Sequence, residues 1–361
     1  MNVLAERLAA RTLELVDIPS ESRHEEAIRR HLTALVPARL TLVCETDEAF
    51  LFMPERRPEA PLVLLAGHYD TVPAQGNVPG HVADGAVHGL GASDMKGGVA
   101  VALELVRELS ADAATFDVGL LLFGREELSV EHDPLPALLE SCDALHETSL
   151  AIVLEPTGGE IHAGCLGNLL ARLVFHGTSG HSARPWLADN AIEHAVEGLA
   201  ALVGQHPRET DVRGLRFVES MSVTRLEAGI ADNVIPDRAI ATLSFRYAPD
   251  RTPEQAEVLL HTLVPKESTL EIVSNAPPGG VVIDSPLVAA LLDAGARGMQ
   301  PKQAWTNVAD FTSAGIDAVN FGPGDPAFAH RKDERVEISA LVHAYETLRQ
   351  LLTTPIHDDA S

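Results

Sequence analysis

Two short stretches hold the residues best suited to chemistry. One reads Gly67-His68-Tyr69-Asp70-Thr71-Val72-Pro73, the other Gly91-Ala92-Ser93-Asp94-Met95-Lys96-Gly97-Gly98. Imidazole is a good ligand for zinc, and a carboxylate that takes its other ring N–H fixes the tautomer and raises its basicity. His68 and Asp70 lie two apart at the end of an apolar run, so they leave an extended chain on the same side. Alone, such a pair reads most simply as a core histidine satisfied at a strand end. Asp94 changes the weighing, because it places a second metal-capable group on a loop just ahead of a helix. Glu126-Glu127, Glu155 and the distant His330 extend the series. Two histidines and three carboxylates (His68, Asp94, Glu127, Glu155, His330) suit two zinc ions, with one carboxylate bridging and a water between them. Glu126 is then left to act as general base, since neighbouring residues point in different directions.

The elements that must position these groups alternate along the chain. Helices are expected over residues 3–16, 24–35 and 98–110, the second opened by a Ser22/Glu25 capping box. Strands are expected over 40–45, 49–53, 62–66, 117–124 and 150–154, with a short helix near 135–140 and a turn at Asp84-Gly85. This order predicts a largely parallel, layered α/β sheet. Functional groups in such sheets gather beyond the carboxyl ends of the strands, where His68, Asp70, Glu126, Glu127 and Glu155 all fall. From about Leu169 the pattern becomes βαββαβ: strands 169–176, 221–226, 240–247 and 269–274, helices 190–203 and 253–264. That is a complete α+β ferredoxin-like unit. The expected organisation is a discontinuous catalytic domain, 1–168 with 276–361, interrupted by an inserted domain, 169–275. Helix 286–299, strand 318–321 and helix 338–352 complete the first domain, and the tail after Pro355 is expected to fray.

Net charge is 27 − 52 = −25, which disfavours nucleic acid and anionic membranes as partners. No apolar run approaches the roughly 20 residues of a membrane span, and the first residues read as an amphipathic helix instead of a signal peptide. The three cysteines, Cys44, Cys142 and Cys165, are odd in number and widely spaced. They imply a reducing compartment, hence the cytoplasm, and argue against a disulfide frame.

Together these motifs, with Gly177-Thr-Ser-Gly-His181-Ser-Ala-Arg-Pro185 and Asn233-Val-Ile-Pro236, resemble the metallo-aminoacylase/carboxypeptidase superfamily, the M20 peptidases, from the first helix to about Leu352. The resemblance implies a zinc-hydrolase-type α/β domain with an inserted lid and dimerisation domain. It implies two Zn2+, with Co2+ as an alternative in one site. Asp94 would bridge, His68 and Glu155 would complete one site, and Glu127 and His330 the other. Asp70 would orient His68, Glu126 would serve as the acid/base, and His181 would reach the active site of the partner subunit in a homodimer to stabilise the oxyanion. Asn233 and Arg246 match family positions that contact a small N-acyl amino acid, Arg246 gripping the acyl carboxylate; Thr306 falls where the family has a substrate-contacting threonine and reads equally as part of a packed loop, and Arg184 reads as a further anion contact or a surface charge. Within the family the likeness is strongest to an actinobacterial-like branch that removes succinyl groups, which implies hydrolysis of N-succinyl-L,L-2,6-diaminopimelate. Another deacylase or exopeptidase of the family, such as acetylornithine deacetylase, would share every metal residue; a catalytically silent metabolite-binding relative would not need Glu126. Two departures bear on substrate: Gly89-Leu90-Gly91 stands where the family usually has Gly-Arg-Gly, and Gly164-Cys165-Leu166-Gly167 lacks an arginine pair.

Overall fold

The computed structural model describes residues 3–109, 113–203, 208–265 and 268–355, so the expected fraying of the tail lies outside the described residues. The chain divides into two compact units: residues 1–164, 282–300 and 310–361 form one, and 165–281 with 301–309 the other.

The first unit opens with α1 (Val3–Val16), α2 (Glu26–Leu35), β1 (Thr41–Glu45), β2 (Ala49–Met53) and β3 (Leu62–His68). The hairpin β4 (His81–Ala83) and β5 (Ala86–His88) follows, then α3 (Gly97–Glu108), β6 (Asp117–Phe123), α4 (Leu135–Ser141), β7 (Thr148–Val153) and β8 (Ile161–Cys165). The second unit contains β9 (Gly167–His176), β10 (Gly180–His181), α5 (Ala191–Val203), β11 (Glu209–Val212), β12 (Leu215–Val218), β13 (Ser220–Ala228), β14 (Val234–Ile235), β15 (Arg238–Tyr247), α6 (Pro253–Leu263) and β16 (Ser268–Ala276). The chain ends with α7 (Pro286–Asp293), β17 (Met299–Lys302), α8 (Val308–Ser313), β18 (Ala318–Asn320), β19 (Arg335–Glu337) and α9 (Ile338–Thr353).

An eight-stranded sheet runs β1-β2-β6-β3-β7-β18-β8-β17. Its four central strands, β6, β3, β7 and β18, are parallel, whereas β1, β2 and β8 pair antiparallel. The sheet is therefore parallel only at its centre. β3 and β6 are buried along their whole length, as their unbroken apolar runs require. Helix α3 packs on β3 and β6 and is covered by α1 and α9. It is buried from Gly97 to Val106. Its one buried charge, Glu104, is held by Arg7 (3.0 Å) and Arg11 (2.9 Å) of α1. The apolar face of α1 repeats with helical spacing through Ala5, Leu8, Ala9, Thr12, Leu15 and Val16. Burying each such leucine contributes about 1.5–3 kcal/mol.

Three expectations are corrected here and one is met. The helix expected over 286–299 stops at Asp293, because Gly295 and Gly298 take positive φ and turn the chain into β17. Ser22 does not cap α2; the helix starts at Glu26, no side chain caps it, and the Ser22 hydroxyl donates instead to Asp70 (2.6 Å). A buried carboxylate is a stronger acceptor for that hydroxyl than a solvated helix end is a donor. Cys44 of β1 and Cys142 after α4 form a disulfide, Cα atoms 6.2 Å apart, although 98 residues separate them. Sequence spacing carries no information about two segments that the sheet brings side by side. The Asp84-Gly85 turn joins β4 to β5 as expected, both residues at positive φ.

In the second unit β13, β15, β9 and β16 form an antiparallel sheet in that order, the arrangement of a ferredoxin-like βαββαβ unit. Alternate residues of β9 and β15 face two helices. Leu173, Phe175, Ala239 and Ala241 pack with Ala191, Ala195 and Leu199 of α5. Leu169, Ala171, Leu243, Phe245 and Tyr247 pack with Ala256 and Leu260 of α6. The hairpin β11–β12 is an addition to this pattern that its short, half-exposed strands do not announce in sequence. Among the described residues no helix is long and apolar enough to cross a membrane.

Candidate metal centre

In the first unit, four chain segments that leave carboxyl ends of the parallel strands converge. His68 ends β3, Glu126 and Glu127 follow β6, Glu155 follows β7, and His330 follows β18. Asp94 enters from the irregular turn Ala92–Lys96 ahead of α3, its backbone at φ −121° and ψ 95°. Side-chain atoms of His68, Asp94 and Glu127 all lie within 4.8 Å of one another.

The two oxygens of Asp94 face different histidines. Oδ1 is 3.1 Å from His68 Nε2 and Oδ2 is 3.6 Å from His330 Nε2. Glu155 lies 3.8 Å from His68 Nε2, and Glu127 lies 2.9 Å from His330 Nε2. Glu126 stands beside them, 4.0 Å from His68 Nε2. Two imidazoles thus meet four carboxylates around one shared aspartate. A donor set this rich in carboxylate, gathered beside a buried imidazole, suits divalent cations, and a cation would balance charges that the protein alone leaves in excess.

The electrostatics have the same origin. Burial opposes protonation of His68, but hydrogen bonds to Asp70 and Asp94 outweigh it and hold the imidazole well above its ordinary range. The Glu127 hydrogen bond raises His330 to about 9. Burial pushes Glu126 well upward, and the neighbouring Glu155, Glu127 and Asp94 push the same way. Glu127 is raised by burial as well, with His330 acting against it.

Asp70 is fully buried and held from three sides. His68 Nδ1 faces its carbonyl (3.2 Å) and its Oδ1 (3.4 Å). The backbone N–H groups of Glu126 and Glu127 each donate to it at 3.2 Å, and Ser22 adds its hydroxyl. Burial disfavours its charge, yet these donors keep its pKa below the usual carboxylate value. One carboxylate therefore orients His68 and fixes the Glu126-Glu127 turn. Two residues of this neighbourhood escaped sequence reasoning. Buried Lys96 donates to Ile18 O (2.9 Å), and buried Glu334 accepts backbone N–H groups from the Asp94 loop. Lys96 lies within a quoted motif, and Glu334 follows His330 by four positions; no local signal marks either.

The other expected residues belong to the second unit. His181 pairs opposite Val234 where β10 meets β14, and Asn233 accepts from Ser182 N (3.0 Å). His181 Nδ1 accepts from Ala183 N (3.1 Å), which leaves Nε2 to carry the proton. Arg184 donates its N–H back to His181 O (2.8 Å), so His181, Arg184 and Asn233 share one loop pair. Arg246 lies on β15, half-buried, opposite Asn168 and Ser220. It has no carboxylate partner among the described residues, and burial lowers its pKa. Thr306 is buried with an unpartnered Oγ1, and its carbonyl accepts from the Cys165 thiol (3.5 Å). The segment 301–309, expected within the first domain, belongs to the second unit.

The layered sheet, the ferredoxin-like unit and the strand-end cluster define a hydrolase fold built around a cation site, and the chain belongs to peptidase family M20/M25/M40, whose sequence profile matches residues 64–354. Among its relatives, the succinyl-diaminopimelate desuccinylase of Corynebacterium glutamicum is 35% identical over 353 residues, covering 95% of each chain. A Mycobacterium tuberculosis protein, provisionally named succinyl-diaminopimelate desuccinylase DapE, is 38% identical over 348 residues, 94% of this chain and 96% of its own. The aminopeptidase PepT of Bacillus cereus shares the fold with a TM-score of 0.78 at 18% identity, over 97% of this chain and 98% of its own. YXEP of Bacillus subtilis, described as a dinuclear metal-binding peptidase of the M20 family, does so at 0.68 and 16% identity over 98% of each chain.

Proposed function

We propose that the protein hydrolyses the amide bond of N-succinyl-L,L-2,6-diaminopimelate, giving succinate and L,L-diaminopimelate in the synthesis of lysine and cell-wall precursors. The observation that carries the hydrolytic reading is the split of Asp94 between His68 and His330, with Glu126 adjacent. The two relatives named as desuccinylases support the substrate.

The residues fit two zinc ions, with cobalt as an alternative in one site. His68, Asp94 and Glu155 would hold one, and Asp94, Glu127 and His330 the other. When bound, the pair supplies Lewis-acid polarisation of the scissile carbonyl and acidifies a water. Glu126 removes a proton from that attacking water and later delivers it to the leaving amine. Its raised pKa, caused by burial and by the neighbouring Glu155, Glu127 and Asp94, suits a carboxyl that must both take and return a proton. Asp70 keeps the His68 Nδ1 proton engaged and leaves Nε2 to face Asp94. His181 presents Nε2–H as a hydrogen-bond donor for the tetrahedral oxyanion, in its own subunit or its partner's. The unpaired Arg246 guanidinium offers two parallel hydrogen bonds to the succinyl carboxylate. Thr306 Oγ1, Asn233 and Arg184 supply further polar contacts to substrate.

A homodimer through the inserted unit follows from the same reading. The strongly exposed Trp186 (75%) and Ile230 (89%) of that unit support it. Light scattering should give twice the chain mass, and a monomer would remove the dimer. We place the enzyme in the cytoplasm, where amino-acid biosynthesis proceeds. The Cys44–Cys142 disulfide removes the cysteine argument for that placement, so fractionation of the source cell decides it.

The deciding experiment is initial rates on zinc-loaded protein with the succinyl substrate beside N-acetylornithine, N-succinylornithine and other acyl amino acids. Preference for the first, lost with chelator and restored by zinc, is expected. Activity on acetylornithine alone would move the protein to a sister deacylase with the same metal residues.

A further inference from the structure

Glu334 takes no part in the chemistry above, yet it is 2% exposed and lies against the metal centre. Its Oε1 accepts the backbone N–H groups of Ser93 and Asp94, each at 3.0 Å. Its Oε2 accepts the N–H of Gly91 at 3.0 Å. Its own carbonyl accepts from Gly89 at 3.0 Å, and its N–H donates to Arg331 O at 3.2 Å. One residue therefore binds the loop 89–94 at four points and ties it to the segment that begins at His330. A buried carboxylate is costly unless hydrogen-bonded, and charged acceptors make the stronger, more directional bonds. An isolated structural carboxylate would more simply sit in an ion pair, as Glu104 does with Arg7 and Arg11. Glu334 instead directs both oxygens into the one turn where the backbone leaves helical geometry at Asp94 and Met95.

We propose that Glu334 is a positioning residue for the shared aspartate. It fixes the backbone at Asp94 so that the two carboxylate oxygens stay divided between His68 and His330, and it sets the spacing between the Asp94 and His330 loops. The proposal rests on the two-cation reading given above. Its consequence lies in cation affinity: with Glu334 altered, the aspartate can still reach one cation but is no longer held for both.

The test is a zinc titration against a chromophoric chelator on the full chain, for the wild type, Glu334→Gln and Glu104→Gln, with thermal unfolding of each cation-free protein alongside. Gln keeps one acceptor oxygen but opposes an NH2 group to a backbone N–H. Wild-type protein is expected to bind two zinc ions. Glu334→Gln should weaken the looser of them by roughly 10–100-fold, the usual effect of losing a group that orients a ligand. Glu104→Gln should lower the unfolding temperature and leave both affinities unchanged. Equal zinc affinities in Glu334→Gln and wild type would overturn the proposal while leaving the two-cation reading intact. Wild-type protein that binds no zinc would overturn both. Should Glu334→Gln not fold, Glu334→Asp takes its place, keeping the charge on a reach one methylene shorter; unchanged affinity there overturns the proposal equally.

Discussion

His68 and His181 are both imidazoles at strand ends, but their surroundings differ in kind. His68 is 1% exposed, and carboxylates engage both of its ring nitrogens. His181 is exposed, and among the described residues its side chain has one partner, the N–H of Ala183, two residues away. The same contrast separates the charged groups around them. Asp70 collects four hydrogen bonds or ion contacts from three segments, whereas Arg246 has no counter-ion among the described residues. The first unit is organised before any ligand arrives, apart from an excess of negative charge that a cation would relieve. In the second, the Arg246 guanidinium has no carboxylate partner and the His181 side chain bonds only locally, among the described residues. The two units thus differ in how far their polar groups are already satisfied within the chain.

The largest test of that division is Glu126→Gln. The amide keeps shape and hydrogen bonding but cannot accept the proton, so kcat should fall by about 10³- to 10⁴-fold with zinc content unchanged. A fully active, zinc-replete variant would remove Glu126 as the base. His181→Ala should lower kcat by roughly 10²- to 10³-fold, the cost of one oxyanion donor. Because His181 lies outside the metal cluster, zinc affinity should not change, and a weakened zinc titration would break the comparison. Arg246→Ala should reduce kcat/KM for the succinyl substrate by roughly 10- to 100-fold, as loss of a charged hydrogen-bond pair implies. The loss should be several-fold smaller for an acetylated substrate, which has no second carboxylate; equal losses would show that Arg246 does not read the acyl group.

The smallest effect expected is on pH. His330 is raised to about 9 by Glu127 in the cation-free protein, so it carries a proton at neutral pH that zinc must displace. Zinc affinity should rise with pH up to about 9 and then level. The stability that the His330–Glu127 pair gives the cation-free protein runs oppositely. It is present in full below the unfolded histidine value of roughly 6.5 and is lost as pH rises through about 9. Chelator competition from pH 6.5 to 9.5 checks the first statement, and a flat profile would contradict it.

Where a residue's role depended on its own strand, the sequence was informative. The apolar runs that become β3, β6 and β7 are continuous, and each delivers its polar groups at the carboxyl end, so His68, Glu126, Glu127 and Glu155 could be grouped before any coordinates. Asp94 was legible from the glycines and helix behind it. Tertiary pairings were not. Ser22 sits three residues before Glu25, as a capping residue would, and only the approach of Asp70 redirects its hydroxyl. Cys44 and Cys142 meet because β1 and the end of α4 do. Glu334 makes its contacts 240 to 243 residues back along the chain, through backbone N–H groups that have no sequence signature. β8 is short, has a glycine at positive φ (Gly164) one residue before its end and takes its partner from β18, so no local periodicity reveals it.

The carbonyl of Leu154, one residue before Glu155, is crowded from two directions. A β-carbon added at Gly98 at the start of α3, or at Gly322 after β18, would sit well inside van der Waals contact with that oxygen. Neither glycine has a side chain to offer a ligand, so an inspection of contacts would class both as bystanders. In a saturation-mutagenesis screen they should nonetheless score with the metal residues, since even alanine at either position must displace the strand end that delivers Glu155. Intolerance mapped onto this protein would therefore trace two layers, the ligands and the glycines behind them, and a screen read by chemistry alone would miss the second.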